Sequence, residues 1–74
     1  MITYHLVYIS GNTETIVDDY IYCTGRLVDL NEGLLKEVNI FKDKQLVSNI
    51  RRDDSITYDE FEDKAIDHVH IWRY

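Results

Sequence analysis

ITYHLVYI, residues 2 to 9, is the stretch of this 74-residue chain from which the fold is predicted. Every second residue from Ile2 to Tyr8 is apolar, and the residues between them are also rich in β-branched side chains. This period of two is typical of a β-strand. Residues 10 to 12, SGN, then supply turn chemistry, because glycine and asparagine tolerate positive φ. The sequence therefore predicts a first strand that ends in a tight turn.

The run that follows, TETIVDDYIYC at residues 13 to 23, fits two patterns. Its apolar residues recur at helical spacing, but threonine, isoleucine, valine and tyrosine dominate it, and these residues favour strands. Because a turn precedes the run, we predict a strand that pairs back on the first. A helix over the same residues is the alternative.

The middle of the chain is predicted to be a meander. Residues 26 to 30, RLVDL, are expected to form a short strand, and residues 31 to 33, NEG, carry a turn signal. Residues 34 to 50 then read as two strands joined by a turn at residues 43 to 45. A short helix over residues 30 to 38 is the alternative.

The last third predicts a helix over residues 57 to 67. Thr57 and Glu60 have the spacing of a capping box, in which each side chain satisfies a free backbone N–H at the helix start. Ile56 and Phe61 have the spacing of a hydrophobic staple. Both signals indicate a helix that begins at residue 57 or 58.

Residues 68 to 74, HVHIWRY, alternate again and predict a closing strand. The fold class is therefore α+β in one compact domain, residues 1 to 74. We expect a small antiparallel β-sheet of about four to five strands with one short helix, about 57 to 67, packed on it.

The negative charge of the chain is concentrated in residues 53 to 67. This window holds seven acids against Lys64 alone, a net charge of −6, while the other seven acids are balanced by seven lysines and arginines. Acids near a helix start aid capping and solubility, but an unrelieved cluster costs folding free energy through repulsion. The cluster therefore indicates a face that meets a positively charged partner.

From this pattern we predict a small protein-binding module that acts as an inhibitor. Closely spaced carboxylates can imitate a row of phosphates, so the expected partner is a basic protein surface, such as that of a nucleic-acid-binding protein. Short acidic domains of this kind have the profile of phage and mobile-element inhibitors, including anti-CRISPR proteins and DNA mimics. The predicted partner-binding residues are Asp53, Asp54, Asp59, Glu60, Glu62, Asp63, Asp67 and Trp72.

Several function classes are not favoured by the sequence. Direct nucleic-acid or membrane binding needs clustered lysine and arginine, which the chain lacks apart from Arg51 and Arg52. The chain starts without the basic residues of a secretory signal, so we expect it in the cytoplasm. No nucleophile elbow or phosphate-binding loop occurs, so we expect neither an enzyme nor a cofactor.

Two alternatives stay open. A structural or regulatory homo-oligomer, such as a homodimer, would use strand edges and the aromatic side chains, which exceed what so small a core can hide. A metal-binding domain would use His68 and His70, which lie on one face if the closing strand forms, with His5, Cys23 or an acid completing the site. Cys23 is the only cysteine, so no internal disulfide can form.

Overall fold

A computed structural model describes residues 1–28, 35–53 and 55–73 of the chain. Four strands form one sheet in the order β2-β1-β3-β4, and every neighbouring pair is antiparallel. The predicted α+β class is confirmed. In chain order the elements are β1 (Ile2–Tyr8), β2 (Thr13–Val17), α1 (Tyr20–Val28), β3 (Leu35–Lys42), β4 (Gln45–Arg51) and α2 (Tyr58–Ile71).

The first strand lies inside the sheet, as its two-sided β-branched character suggests. β1 pairs with β2 on one side and with β3 on the other. Its alternate residues from Ile2 to Tyr8 are buried, and those between them are half-buried. The ring of Tyr4 is fully buried, and its hydroxyl donates to the backbone oxygen of Trp72 at 3.1 Å. This bond joins the first strand to the end of the last helix.

Both tight turns contain residues with positive φ. Gly11 lies in the β1–β2 turn with φ of +95°, and its N–H donates to the Tyr8 oxygen at 3.0 Å. Asp43 and Lys44 form the β3–β4 turn with φ of 50° and 72°, the pair of positive values typical of a two-residue hairpin. The turn predicted at residues 43 to 45 is therefore confirmed.

The strand predicted over residues 13 to 23 is correct only for β2. Asp18 has a positive φ of 54°, which ends the strand, and its carboxylate accepts the Ile2 N–H at 2.7 Å. The next residue, Asp19, accepts the Tyr22 N–H at 3.0 Å, which is the bond of a helix N-cap. Two consecutive aspartates therefore stop β2 and start α1.

The predicted strand over residues 26 to 30 is also corrected. Residues 26 to 28 form the end of α1, because Cys23 and Leu27, four residues apart, are both buried on the core side of the helix. Residues 29 and 30, like the predicted turn at 31 to 33, lie outside the described residues.

The predicted start of the last helix is confirmed, and its predicted end is not. The N–H of Glu60 donates to Thr57 Oγ1 at 3.2 Å. The helix continues to Ile71, so residues 68 to 71 form its last turn rather than a closing strand. The buried face of α2 extends to Val69 at the spacing of four, whereas Ile71, the other apolar residue of the alternation, is exposed.

Both helices pack on the same face of the sheet. Their buried residues join the core that the buried strand residues form. Among the described residues nothing packs on the opposite face, which we call the open face. In that part of the chain no helix has the length and apolar character needed to cross a membrane.

Replacing Thr57 with alanine should lower the free energy of unfolding by about 1 kcal/mol, because the N–H of Glu60 loses its acceptor. For a domain of this size that loss corresponds to a melting temperature about 4–8 °C lower. Thr57→Ser keeps the hydroxyl and should melt close to the wild type. Equal melting temperatures for the alanine variant and the wild type would contradict the capping bond.

Two glycine substitutions should change stability in opposite directions. Gly25 lies inside α1, and a methyl group added there meets no atom within 4 Å. Gly25→Ala should therefore raise the free energy of unfolding by about 0.5–1 kcal/mol. Gly11→Ala should lower it, since its φ of +95° disfavours any side chain. Thermal melts of the two variants check both signs.

Candidate functional site

The acidic window forms the outer side of α2. The helix buries Phe61, Ala65 and Val69, which lie four residues apart along one side. Residues on the opposite side are exposed, and we call their four carboxylates the acidic face. The acidic face consists of Asp59, Glu60, Asp63 and Asp67.

The charges of the acidic face are closely spaced along the helix axis. From Asp59 to Asp67 the axial rise is about 12 Å, so the four carboxylates fall at about one charge per 3–4 Å. Phosphate charges along one strand of B-DNA have a spacing of about 3.4 Å. Asp59 and Glu60 lie in the first turn, where the helix dipole favours them, but Asp63 and Asp67 lie beyond it. The helix dipole therefore explains Asp59 and Glu60 but not Asp63 and Asp67.

Outside residues 53 to 67, each described carboxylate has a partner. Asp18 and Asp19 accept backbone N–H groups, as described above. Glu37 accepts from Asn49 Nδ2 at 2.6 Å, and Asp43 pairs with the amino terminus at 2.9 Å. Glu14 accepts three donors, which are described below. By contrast, none of the hydrogen bonds or ion pairs between described residues involves a carboxylate of the acidic face.

The other predicted acids have different surroundings. Asp53 accepts from the N–H of Ser55 at 2.8 Å and from its hydroxyl. The Ser55 hydroxyl, followed by the Ser55 N–H, holds the pKa of the Asp53 carboxyl below its usual value. Glu62 is half-buried on α2. Asp54 lies outside the described residues.

Trp72 is placed away from the acidic face. It is the C-cap residue of α2, about 20 Å along the axis from Asp59, and it is half-buried against the core. Its backbone oxygen accepts the Tyr4 hydroxyl, and Lys42 Nζ lies 5.8 Å from its ring centroid. These contacts give Trp72 a role in packing the end of the helix.

The two histidines considered as metal ligands point in different directions. Residues two apart on a helix are about 200° apart around its axis, so the chelating arrangement expected on a strand is not formed. His68 Nδ1 lies 2.9 Å from Ser48 Oγ, while His70 meets the Tyr20 ring edge-on, with centroids 6.2 Å apart. The described residues contain no group of three or more side chains placed to hold a metal ion.

The two side chains considered as nucleophiles, Cys23 and Ser48, are buried. Burial raises the pKa of the Cys23 thiol to about 12, and nearby carboxylates add to the rise, so the sulfur stays protonated. Ser48 is 8% exposed, and its bond to His68 ties β4 to α2. Neither Cys23 nor Ser48 lines the open groove of about 470 Å³ on the surface. Its described lining is Ile9, Lys36, Arg52, Asp53 and Ile56.

One polar cluster was missed by the sequence analysis. Glu14 on β2 accepts hydrogen bonds from side chains on β1 and α1, and Arg26 Nη2 also donates to the Tyr8 hydroxyl at 3.0 Å. The cluster holds α1 against the β1–β2 hairpin. It depends on α1 being a helix, which places Tyr22 and Arg26 one turn apart. The donors to Glu14 are the Tyr22 hydroxyl at 2.8 Å, the Tyr8 hydroxyl at 3.0 Å and Arg26 Nε at 3.1 Å.

No family model, curated protein or solved structure matches this chain. Of the clusters described above, the acidic face is the one whose carboxylates take part in no hydrogen bond or ion pair between described residues.

Glu14 should make the stability depend on pH. Burial alone would raise the pKa of its carboxyl, but the hydrogen bonds from Tyr22, Tyr8 and Arg26 outweigh burial and hold it below its usual value. Because the pKa is lowered by folding, the stabilisation is present above the unfolded pKa of about 4.3 and is lost as pH falls through the folded pKa.

Glu14→Gln should therefore melt at a lower temperature than the wild type at pH 7, and the two melting temperatures should converge as the pH falls below the unfolded pKa of about 4.3. The matched control is Asp63→Asn, which removes a carboxylate without a described partner and should leave the melting temperature at pH 7 unchanged or slightly raised, because the repulsion from Asp59 and Asp67 is lost. A constant difference between Glu14→Gln and the wild type at all pH values would show that the charge of Glu14 is not responsible.

Proposed function

We propose that this protein is a small protein-binding module whose acidic face occupies a basic surface of another protein and thereby inhibits it. The observation that carries the proposal is the contrast between the carboxylates. Those described outside the window each bind a group of the fold, and those of the acidic face bind none. Keeping such charges together costs about 0.2–0.5 kcal/mol for each like-charge pair one turn apart.

The proposed partner is a nucleic-acid-binding protein, because the acidic face resembles one phosphate strand in its axial charge density. A groove built for phosphates presents lysine and arginine side chains at matching intervals. A rigid helix holds the carboxylates in place before binding, so little side-chain order has to be gained. Such a partner is consistent with the cytoplasm as the site of action.

Binding of this kind should be steered by charge. A net charge of −6, concentrated on one side, orients the protein before contact and speeds association with a basic surface. The contacts lie at the surface, so each ion pair is worth about 0.2–1 kcal/mol and is screened by salt. The complex should therefore weaken as salt is raised.

Removing two charges of the acidic face should weaken capture of the partner by about tenfold, which corresponds to about 0.7 kcal/mol for each lost ion pair. The test variant is Asp63→Asn with Asp67→Asn, and the control is Asn12→Lys with Gln45→Lys. Both changes add two charges to −6 and give −4, but the control residues are exposed positions off α2. Each variant and the wild type serve as bait for source-cell proteins, and captured amounts are measured by mass spectrometry.

Support requires basic proteins that are held by the wild type and the control, lost with the test variant, and displaced by added duplex DNA. Equal loss in both variants would mean that net charge alone acts. Equal capture by all three baits would mean that the acidic face is a solvated surface.

A further inference from the structure

The open face of the sheet carries three rows of side chains that cross all four strands. Strand register sets the rows, because directly paired residues project on the same side of the sheet. The first row runs through Val17, Thr3, Phe41 and Leu46. Val17 and Leu46 at its ends are about half exposed, at 50% and 51%. We call this set the apolar row.

The remaining rows carry no net charge. The second contains only hydroxyl, imidazole and amide groups among its four members: Thr15, His5, Asn39 and Asn49. The third runs through Thr13, Val7, Glu37 and Arg51, and its two charged members, Glu37 and Arg51, are directly paired and opposite in charge. The open face is therefore neutral, although the whole chain has a net charge of −6.

We propose that the open face binds a second copy of this chain, with the two sheets face to face about a twofold axis parallel to the strands. Such an axis keeps each row over the same row of the other copy. It places β2 over β4 and β1 over β3 of the second copy. Sheets packed in this way are about 10 Å apart and interlock their side chains.

The apolar row is complementary to itself under this axis. Thr3, a small side chain, faces Phe41 of the second copy, so a large residue meets a small one. Val17 faces Leu46 of the second copy, which brings two half-exposed aliphatic side chains into contact. In the second row the hydroxyl and imidazole groups of one copy face the amides of the other. In the third row Val7 faces Glu37 of the second copy and Thr13 faces Arg51, so the complementarity of the proposed contact lies in the first two rows.

Charge also selects the open face as the surface between copies. Two molecules that each carry −6 repel one another, and the repulsion is smallest when the acidic faces point apart. The acidic face lies on the helical side of the sheet, opposite the open face. Contact through the open face keeps the two acidic faces on opposite outer surfaces.

The size of the open face indicates a weak dimer. Four strands about 4.8 Å apart and three rows about 6.7 Å apart give a projected area of roughly 400 Å² for each copy. Stable interfaces bury about 800 Å² for each partner, so this contact has about half of that area and lies below the range of stable complexes. We therefore expect a dissociation constant in the micromolar range or weaker.

Sedimentation equilibrium between about 5 µM and 1 mM tests the proposal. The average mass of the wild type should rise towards that of a dimer, and more steeply at higher salt, because salt screens the repulsion between copies. Val17→Lys with Leu46→Lys should weaken self-association at least tenfold. Ile21→Lys is the matched control, because Ile21 is 71% exposed but lies on α1. Circular dichroism melts check that each variant is folded.

A wild type that stays monomeric at 1 mM would overturn the proposal. So would loss of self-association in Ile21→Lys with retention in the double lysine variant, which would assign the contact to α1. The acidic-face variant, Asp63→Asn with Asp67→Asn, should dimerise at least as well as the wild type. Failure of this inference is therefore distinguishable from failure of the proposed partner binding.

Discussion

A sheet of four strands has two faces, and in the described chain only two short helices are available to cover them. With nine and 14 residues, α1 and α2 both pack on one face, and the core lies between them and the sheet. The fully buried ring of Tyr4 on β1 lies in that core, and its hydroxyl reaches the end of α2. This one-sided coverage divides the surface into a charged helical side and a neutral sheet side.

The carboxylates also form two groups, those that bind other groups of the fold and those of the acidic face. Asp18, Asp19 and Glu14 act at the junctions of β1, β2 and α1, where they bind backbone N–H groups or side-chain donors. Charges used like this stabilise a small domain, because a hydrogen bond to a charged group contributes about 1.5–3 kcal/mol. The acidic face contributes nothing comparable, and its carboxylates repel one another. Its cost to folding is the physical reason for assigning it to an interaction outside the chain.

Local patterns predicted much of the fold. β1, the turn at residues 43 to 45 and the start of α2 each follow from signals within a few residues, such as the Thr57 cap. The end of α2 could not be predicted in this way, because Val69 fits both the strand and the helix period, and Ile71, which is exposed in the helix, fits only the strand period. Packing against the core, which involves residues distant in sequence, selects the helix.

Residues 20 to 28 were predicted as strand but form α1, and the reason is similar. β2 ends at Asp18, which has a positive φ and accepts a hydrogen bond from the N–H of Ile2, a residue distant in sequence. The acids of the candidate site were predicted from charge alone. Which of them the fold uses could be learned only from their hydrogen-bond partners. The Glu14 cluster could not be predicted, because it requires Tyr22 and Arg26 to lie one turn apart on a helix, and the sequence predicted strands there.

The two proposed surfaces have a combined consequence. A dimer formed through the open faces would carry one acidic face on each outer side, and the helices would point away from each other. Two acidic faces in this arrangement cannot enter one continuous groove, but they can each engage a separate partner molecule. Linking two weak contacts in one particle raises the effective affinity when both can be made at once. A weak dimer would therefore favour a partner that presents basic surfaces in pairs over one that presents a single groove.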